Sequence, residues 1–178
     1  MRVIGGRSRG RRLAAKLPRS VRPTSDRVRE SIFDILGSQG GVEGLRVVDL
    51  FCGSGALGVE ALSRGAASAT FVDLDPDALA AVRLNLGAVG LGDEPATLVR
   101  AALPAWLESG AQGSFDLALC DPPYDFSEWP GLLGALRADV VVMESSSPVT
   151  PPEGWVVTRE RRYGGTLVTV AHRSGAGS

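Results

Sequence analysis

A three-layer α/β fold around a mostly parallel sheet is what the sequence predicts, and three observations predict it. Five short apolar runs alternate with stretches of helical periodicity. One of the junctions is a glycine-rich turn between strand and helix, and two final strands around Gly164-Gly165 read as an antiparallel hairpin. Near-continuous apolar strands need cover on both faces, which helical crossovers on the two sides of a parallel sheet supply.

In chain order, residues 1–4 and 9–15 flank Gly5-Gly6 and pair as a small basic β-hairpin. Pro18 and Pro23 interrupt the chain. A helix starts from Thr24 as its cap, with Asp26 in the first turn and Val28, Ile32, Ile35 and Leu36 at helical spacing; Gly37 and Gly40-Gly41 end it. Strands are expected at 45–50, 69–72, 97–99, 115–120 and 140–143, with helices near 56–64, 76–87, 101–108 and 130–137. The second of these helices opens on Asp75-Pro76, a capping carboxylate followed by proline at the first helical position. Residues 145–152 form a loop, and strands at about 155–161 and 166–172 close the sheet's edge. The division expected is a basic hairpin arm over 1–22, a main domain over 23–173 and a flexible tail over 174–178.

With 178 residues, 44% hydrophobic and 22% charged, the composition is that of one globular domain and excludes disorder, collagen and a coiled coil. No apolar run approaches a membrane span, and the first residues carry charge without a secretory apolar core. Cys52 and Cys120 have neither metal spacing nor a disulfide pattern, so a reduced, cytoplasmic, monomeric protein without a metal is expected. The net charge of −1 hides an asymmetry: residues 1–29 hold ten basic side chains against the single acid Asp26, and residues 30–178 hold nine against nineteen acids. Such a basic segment is either an arm for a polyanion or a solvated tail.

The strand at 45–50 runs into Asp49-Leu50-Phe51-Cys52-Gly53-Ser54-Gly55-Ala56-Leu57-Gly58. Gly53, Gly55 and Gly58 satisfy G-x-G-x-x-G between a strand and a helix, where glycine permits a sharp turn and close approach. Twenty residues after Gly53 stands Asp73, placed to accept ribose hydroxyls, so an adenosine-bearing cofactor is expected. Asp49, four residues before Gly53, would repel a pyrophosphate and suits a cationic ligand. That favours S-adenosylmethionine over a nicotinamide or flavin. The next strand of interest ends in Asp121-Pro122-Pro123-Tyr124, a pattern that suits an amino group conjugated to a planar ring. A carboxylate and a carbonyl accept its two N–H groups and turn the lone pair outward, prolines stiffen the loop, and Tyr124 offers a stacking face.

Over nearly its whole length the chain resembles the bacterial 16S ribosomal RNA guanine-N2 methyltransferases. The matching stretches are Arg2–Gly6 with Arg9-Gly10-Arg11, Arg22–Glu30 (RPTSDRVRE), Asp49–Ala66, Asp121–Tyr124, Glu144-Ser145 and Tyr163–Thr166. The resemblance implies the Rossmann-like class I methyltransferase fold, S-adenosylmethionine as donor and a guanine at position 966 of 16S RNA, in the small ribosomal subunit, as target. The rivals are amino-group methylation of another nucleic acid, such as adenine N6 in DNA or RNA, and a dinucleotide-dependent oxidoreductase. Catalytic roles are expected of Asp121, Pro122 and Tyr124. Cofactor contacts are expected from Asp49, Phe51, Gly53, Ser54, Gly55, Asp73, Leu74 and Ala101. The segment Arg100-Ala101-Ala102 lacks the acid or amide that many class I enzymes offer to the adenine amine. RNA contacts are expected from Arg9, Arg11, Arg12, Arg22, Thr24, Arg27, Arg29 and Phe126. For Thr24, Arg27 and Arg29 the alternative is a helix cap with a solvated face, and for Phe126 and Trp129 it is core packing.

Overall fold

A computed structural model describes residues 1–14 and 25–175. The elements run α1 (Asp26–Ser38), β1 (Arg46–Leu50), α2 (Ala56–Ser63), β2 (Ser68–Asp73), α3 (Pro76–Ala88), β3 (Ala96–Arg100), α4 (Ala105–Glu108), β4 (Phe115–Cys120), α5 (Trp129–Ala135), β5 (Ala138–Ser145), β6 (Trp155–Tyr163) and β7 (Thr166–Arg173). The sheet order is β3-β2-β1-β4-β5-β7-β6, the first five strands parallel and β7 antiparallel to both β5 and β6. This is the Rossmann-like methyltransferase sheet that was expected.

The two faces bury separate apolar clusters. On one, Ile32 and Phe33 of α1, Val59 and Leu62 of α2 and Val82 of α3 pack over Val47, Phe71, Leu117 and Val170. On the other, Leu107 of α4 and Leu132 and Leu133 of α5 cover Val48, Leu50, Ala118 and Val141. Alternation along β1 sends Val48 and Leu50 to one cluster and Val47 to the other. Each fully buried side chain of this size contributes about 1.5–3 kcal/mol.

Three local expectations change. The cap of α1 is Ser25, whose Oγ accepts from Val28 N–H at 3.2 Å, whereas Thr24 lies outside the described residues. The helix also runs past Gly37 to Ser38. The helix expected at 101–108 shrinks to four residues, because Ala101 N–H donates to Asp73 carbonyl (3.1 Å) and Pro104 has no N–H to give. At the N-terminus, Arg2 bridges Arg12 with hydrogen bonds from Val3 and Leu13 N–H closing the hairpin, and both of those side chains are buried in the main core. The hairpin is therefore docked on the body instead of projecting from it. No helix among the described residues is long and apolar enough to cross a membrane.

Candidate active site

The chain leaves β1 toward β2 and β3, then returns to place β4 on the other side of β1. Loops after β1 and β4 thus diverge at the point where strand order reverses, and a crevice opens beyond the carboxyl ends of those strands. Register does the rest. Leu50 is flanked by Val72 and Cys120, so the next residue on each strand, Phe51, Asp73 and Asp121, emerges in one row. Neighbouring strands lie about 4.8 Å apart, which sets Asp73 and Asp121 about 10 Å apart across the crevice.

The glycine loop is held from below. Gly53 (φ 51°) donates its N–H to Asp73 Oδ2 at 2.9 Å, and Asp75 N–H reaches Oδ1 at 2.9 Å. Each Asp73 oxygen therefore has one accepting position engaged and further lone-pair capacity beyond it. Asn85, fully buried on α3, donates to Ser54 carbonyl at 2.9 Å. Gly55, at φ 74°, begins α2 with no side-chain cap. A Cβ on Gly55 would meet Val82 at 2.8 Å, and one on Gly58 would meet Phe71 at 2.4 Å. These two glycines serve helix–strand packing, and the third, Gly53, serves the turn.

Asp49 is 1% exposed and accepts Gly58 N–H at 2.8 Å, so its carboxylate lies under the loop instead of lining an open pocket. Burial pushes its carboxyl well above the usual range, the Gly58 N–H opposes that, and the charges of Asp121 and Asp73 push the same way as burial. Burial likewise raises the thiols of Cys52 and Cys120, leaving both as packed, un-ionised groups.

Beyond β4, Asp121 and Pro122 are half-buried and Tyr124 is 56% exposed. Phe126 N–H donates to Pro123 carbonyl at 3.0 Å, closing the loop. Phe126 meets Phe51 edge-on at 5.1 Å and Trp129 edge-on at 5.1 Å. Phe126 and Trp129 both pack against the second apolar cluster and remain half-buried. Phe51 holds φ 57°, a costly conformation for a side chain of this size. Leu74 is 63% exposed beside Asp73, and Ala101 is half-buried.

The basic residues are distributed differently from the expectation. Arg29 is 1% exposed: its Nη2 donates to Arg2 carbonyl and to Asp26 Oδ1 (3.1 Å), and its Nε lies 3.6 Å from Glu60. It is a buried structural cation, not an RNA contact. Arg11 gives Nη1 to Val89 carbonyl at 2.8 Å. Arg9, Arg12 and Arg27 are exposed, while Arg22 lies outside the described residues. The tip of the hairpin sits at the far end of the sheet, since Arg7 N–H bonds Ser63 carbonyl at the last residue of α2 and Arg7 pairs with Glu94 at 2.5 Å. From Gly55 to Ser63 the helix carries the chain about 12 Å away from the crevice.

Glu60 was missed and organises this docking. At 1% exposure it accepts Ile4 N–H (2.8 Å), Gly5 N–H (2.7 Å) and Arg64 Nε (2.8 Å). A charge inside the apolar run Val59–Leu62 was the available signal, because a buried carboxylate must find partners. A cavity of about 330 Å³, lined by Gln39, Asp116, Asp139 and His172 among others, opens at the opposite ends of the strands and contains neither motif. Both motifs stand instead at the crevice beyond the carboxyl ends of the strands.

Comparison with known proteins identifies the family. The model of the family described as "Conserved hypothetical protein 95" matches residues 1–172. The chain is 37% identical to YlbH of Bacillus subtilis, provisionally titled an rRNA methyltransferase, covering 98% of the chain and 100% of that protein. It is 32% identical to ribosomal RNA small subunit methyltransferase D of Escherichia coli, over 99% of the chain and 92% of the relative. A solved structure of a hypothetical protein from Thermus thermophilus superposes with a TM-score of 0.76 at 32% identity, covering 96% of this chain and 98% of that one. With its full set of motifs and a match along nearly its entire length, the chain belongs to the Conserved hypothetical protein 95 family, the family of the small-subunit ribosomal RNA methyltransferases D.

Proposed function

We propose that the protein transfers a methyl group from S-adenosylmethionine to the exocyclic N2 amine of a guanine in 16S rRNA, within the small ribosomal subunit, as a cytoplasmic monomer. The observation that carries this reading is the seating of Asp121-Pro122-Pro123-Tyr124 at the sheet's switch point, in register with Asp73 and the glycine loop. The donor set fits the cofactor. Asp73 and Asp121 emerge in one row at the crevice, which suits a ligand with a sulfonium and an ammonium and repels a pyrophosphate, while Asp49 braces the glycine loop from below through Gly58 N–H. Asp73 has acceptor capacity for ribose hydroxyls, with Phe51, Gly53, Ser54, Gly55, Leu74 and Ala101 around it.

When bound, S-adenosylmethionine supplies an electrophilic methyl group on sulfur. The rest of the chemistry belongs to the chain. Asp121 carboxylate and Pro122 carbonyl accept the two N–H groups of the guanine amine, which frees its lone pair from the ring. Tyr124, exposed at the crevice, stacks on the extruded base. The surplus proton leaves by way of Asp121 or water. Arg9, Arg12 and Arg27 hold RNA phosphates, together with Arg22 and Thr24; residues 1–22 form the basic RNA-contacting segment and 23–173 the methyltransferase domain, with 174–178 as tail. The test is transfer of labelled methyl from S-adenosylmethionine to small subunits that lack native methylation, followed by nucleoside analysis. N2-methylguanine is the expected product; N6-methyladenine, or no incorporation, overturns the reading.

A further inference from the structure

Strand β6 concentrates positive charge where the rest of the body is acidic. Three of the nine basic residues in 30–178, Arg159, Arg161 and Arg162, fall within its nine positions. All three are exposed, and none makes an ion pair among the described residues; Arg162 only reaches Ser146 carbonyl at 3.4 Å. A register shift sets the direction of Arg159 and Arg161, while Arg162, opposite Leu167, lies on the other face of the edge strand. Val157 opposes Ala171 and Arg159 opposes Val170, so Thr158 is an extra residue in the strand. That bulge carries Arg159 and Arg161 onto the face of Val168 and Val170, the side covered by α1.

Register also fixes where along the sheet they lie. Cys120 pairs with Met143, Met143 with Thr169 and Thr169 with Glu160. Asp121 is one residue beyond Cys120, so it shares a row with Glu144, Val168 and Arg161. Three strand spacings, about 14 Å, separate Asp121 from Arg161. The arginines thus stand at the crevice end of the sheet, whereas the tip of the N-terminal hairpin docks at the other end. Arg27, exposed in the first turn of α1, lies in the same layer.

We infer that Arg159, Arg161 and Arg162 on the β6 edge form a phosphate-binding rim for the single-stranded RNA flanking the target nucleotide, an inference that rests on the RNA-methylating reading above. Charge complementarity selects the partner: three unpaired guanidiniums on an otherwise acidic body match a polyphosphate chain, and 14 Å is reached within a few nucleotides of the modified base.

The test replaces the three arginines together (R159Q/R161Q/R162Q) and follows binding of a short single-stranded RNA by fluorescence anisotropy across monovalent salt. Each lost phosphate contact lowers the log–log salt slope by about 0.7, so the slope flattens by about 2 and affinity at 0.1 M salt falls about a hundredfold. The control variant R83Q/R137Q, which removes two exposed arginines elsewhere, keeps the wild-type slope. Calorimetric affinity for S-adenosylmethionine and the circular dichroism spectrum stay as in wild type. A slope within about 0.5 of wild type overturns the inference and leaves these residues as charges that protect an open strand edge from pairing. The two readings fail separately. Methylation of small subunits with an unaltered slope removes only the rim, and an altered slope without methylation removes only the proposed reaction.

Discussion

Replacing Glu60 by alanine is expected to detach the N-terminal hairpin and to cost much of the protein's stability. Its carboxylate accepts the backbone N–H groups of Ile4 and Gly5 and faces Arg29 inside the molecule. Without it, Arg29 keeps among the described residues only Asp26 as an anionic partner, and Asp26 is 59% exposed and so weakly coupled. Breaking a buried pair from one side costs about 3–5 kcal/mol. Two orphaned N–H groups, at about 1–3 kcal/mol each, fall largely within that figure, since an undocked hairpin returns them to water. For a chain of this length the melting temperature drops on the order of 10 °C. Glu60→Gln retains one acceptor and is expected to fall between wild type and Glu60→Ala. Urea denaturation gives the free energies, and limited trypsin digestion at Arg7, Arg9 and Arg11 reports the undocking. A loss below about 1 kcal/mol for Glu60→Ala, with unchanged digestion, would refute the role assigned to this cluster.

Other perturbations separate packing from chemistry at the crevice. Gly58→Ala sets a Cβ 2.4 Å from Phe71 and 3.1 Å from Asp49; the resulting overpacking should cost about 1–3 kcal/mol, and Phe71→Leu in the same chain should recover part of it, both read by denaturation. Asp121→Asn should bind S-adenosylmethionine as wild type does in calorimetry yet lose a factor on the order of 10²–10⁴ in turnover; near-normal turnover removes Asp121 from the reaction. Asp49 has a folded-state pKa above its unfolded one, so the folded state holds its proton more tightly and this residue costs stability as pH rises above the ordinary carboxylate range. Asp49→Asn, which keeps an acceptor for Gly58, should therefore gain stability over wild type with rising pH; denaturation at several pH values that shows the opposite trend would sink the assignment.

Much of this molecule is written locally. Apolar runs such as Phe115–Cys120 coincide with the strand end to end, because a short apolar run bounded by turn residues is defined by near neighbours. Asp75-Pro76 starts α3 as capping chemistry requires. The site's main residues were legible for the same reason. Asp73 ends its strand and Phe51 and Asp121 follow directly on theirs, so once the strands are located, parallel register brings them into one row, with Gly53 two residues farther along the loop. The local rules failed where a remote partner intervened. The fourth helix lost its first turn when Ala101 N–H went to Asp73 on the neighbouring strand. Arg29 reads as one more charge on a basic segment, yet the hairpin folds over it and Glu60 meets it from α2. Nor does a count of arginines along residues 1–29 reveal that the hairpin's tip lands beside Ser63, far from Asp121, or that one extra residue in β6 turns Arg159 and Arg161 to the other face. Periodicity, turn chemistry and motif spacing depend on residues a few positions apart, and the chain by itself determines them. Burial of a charge and the direction of a side chain on an edge strand depend on what packs there from tens of residues away, and only the tertiary structure decides those.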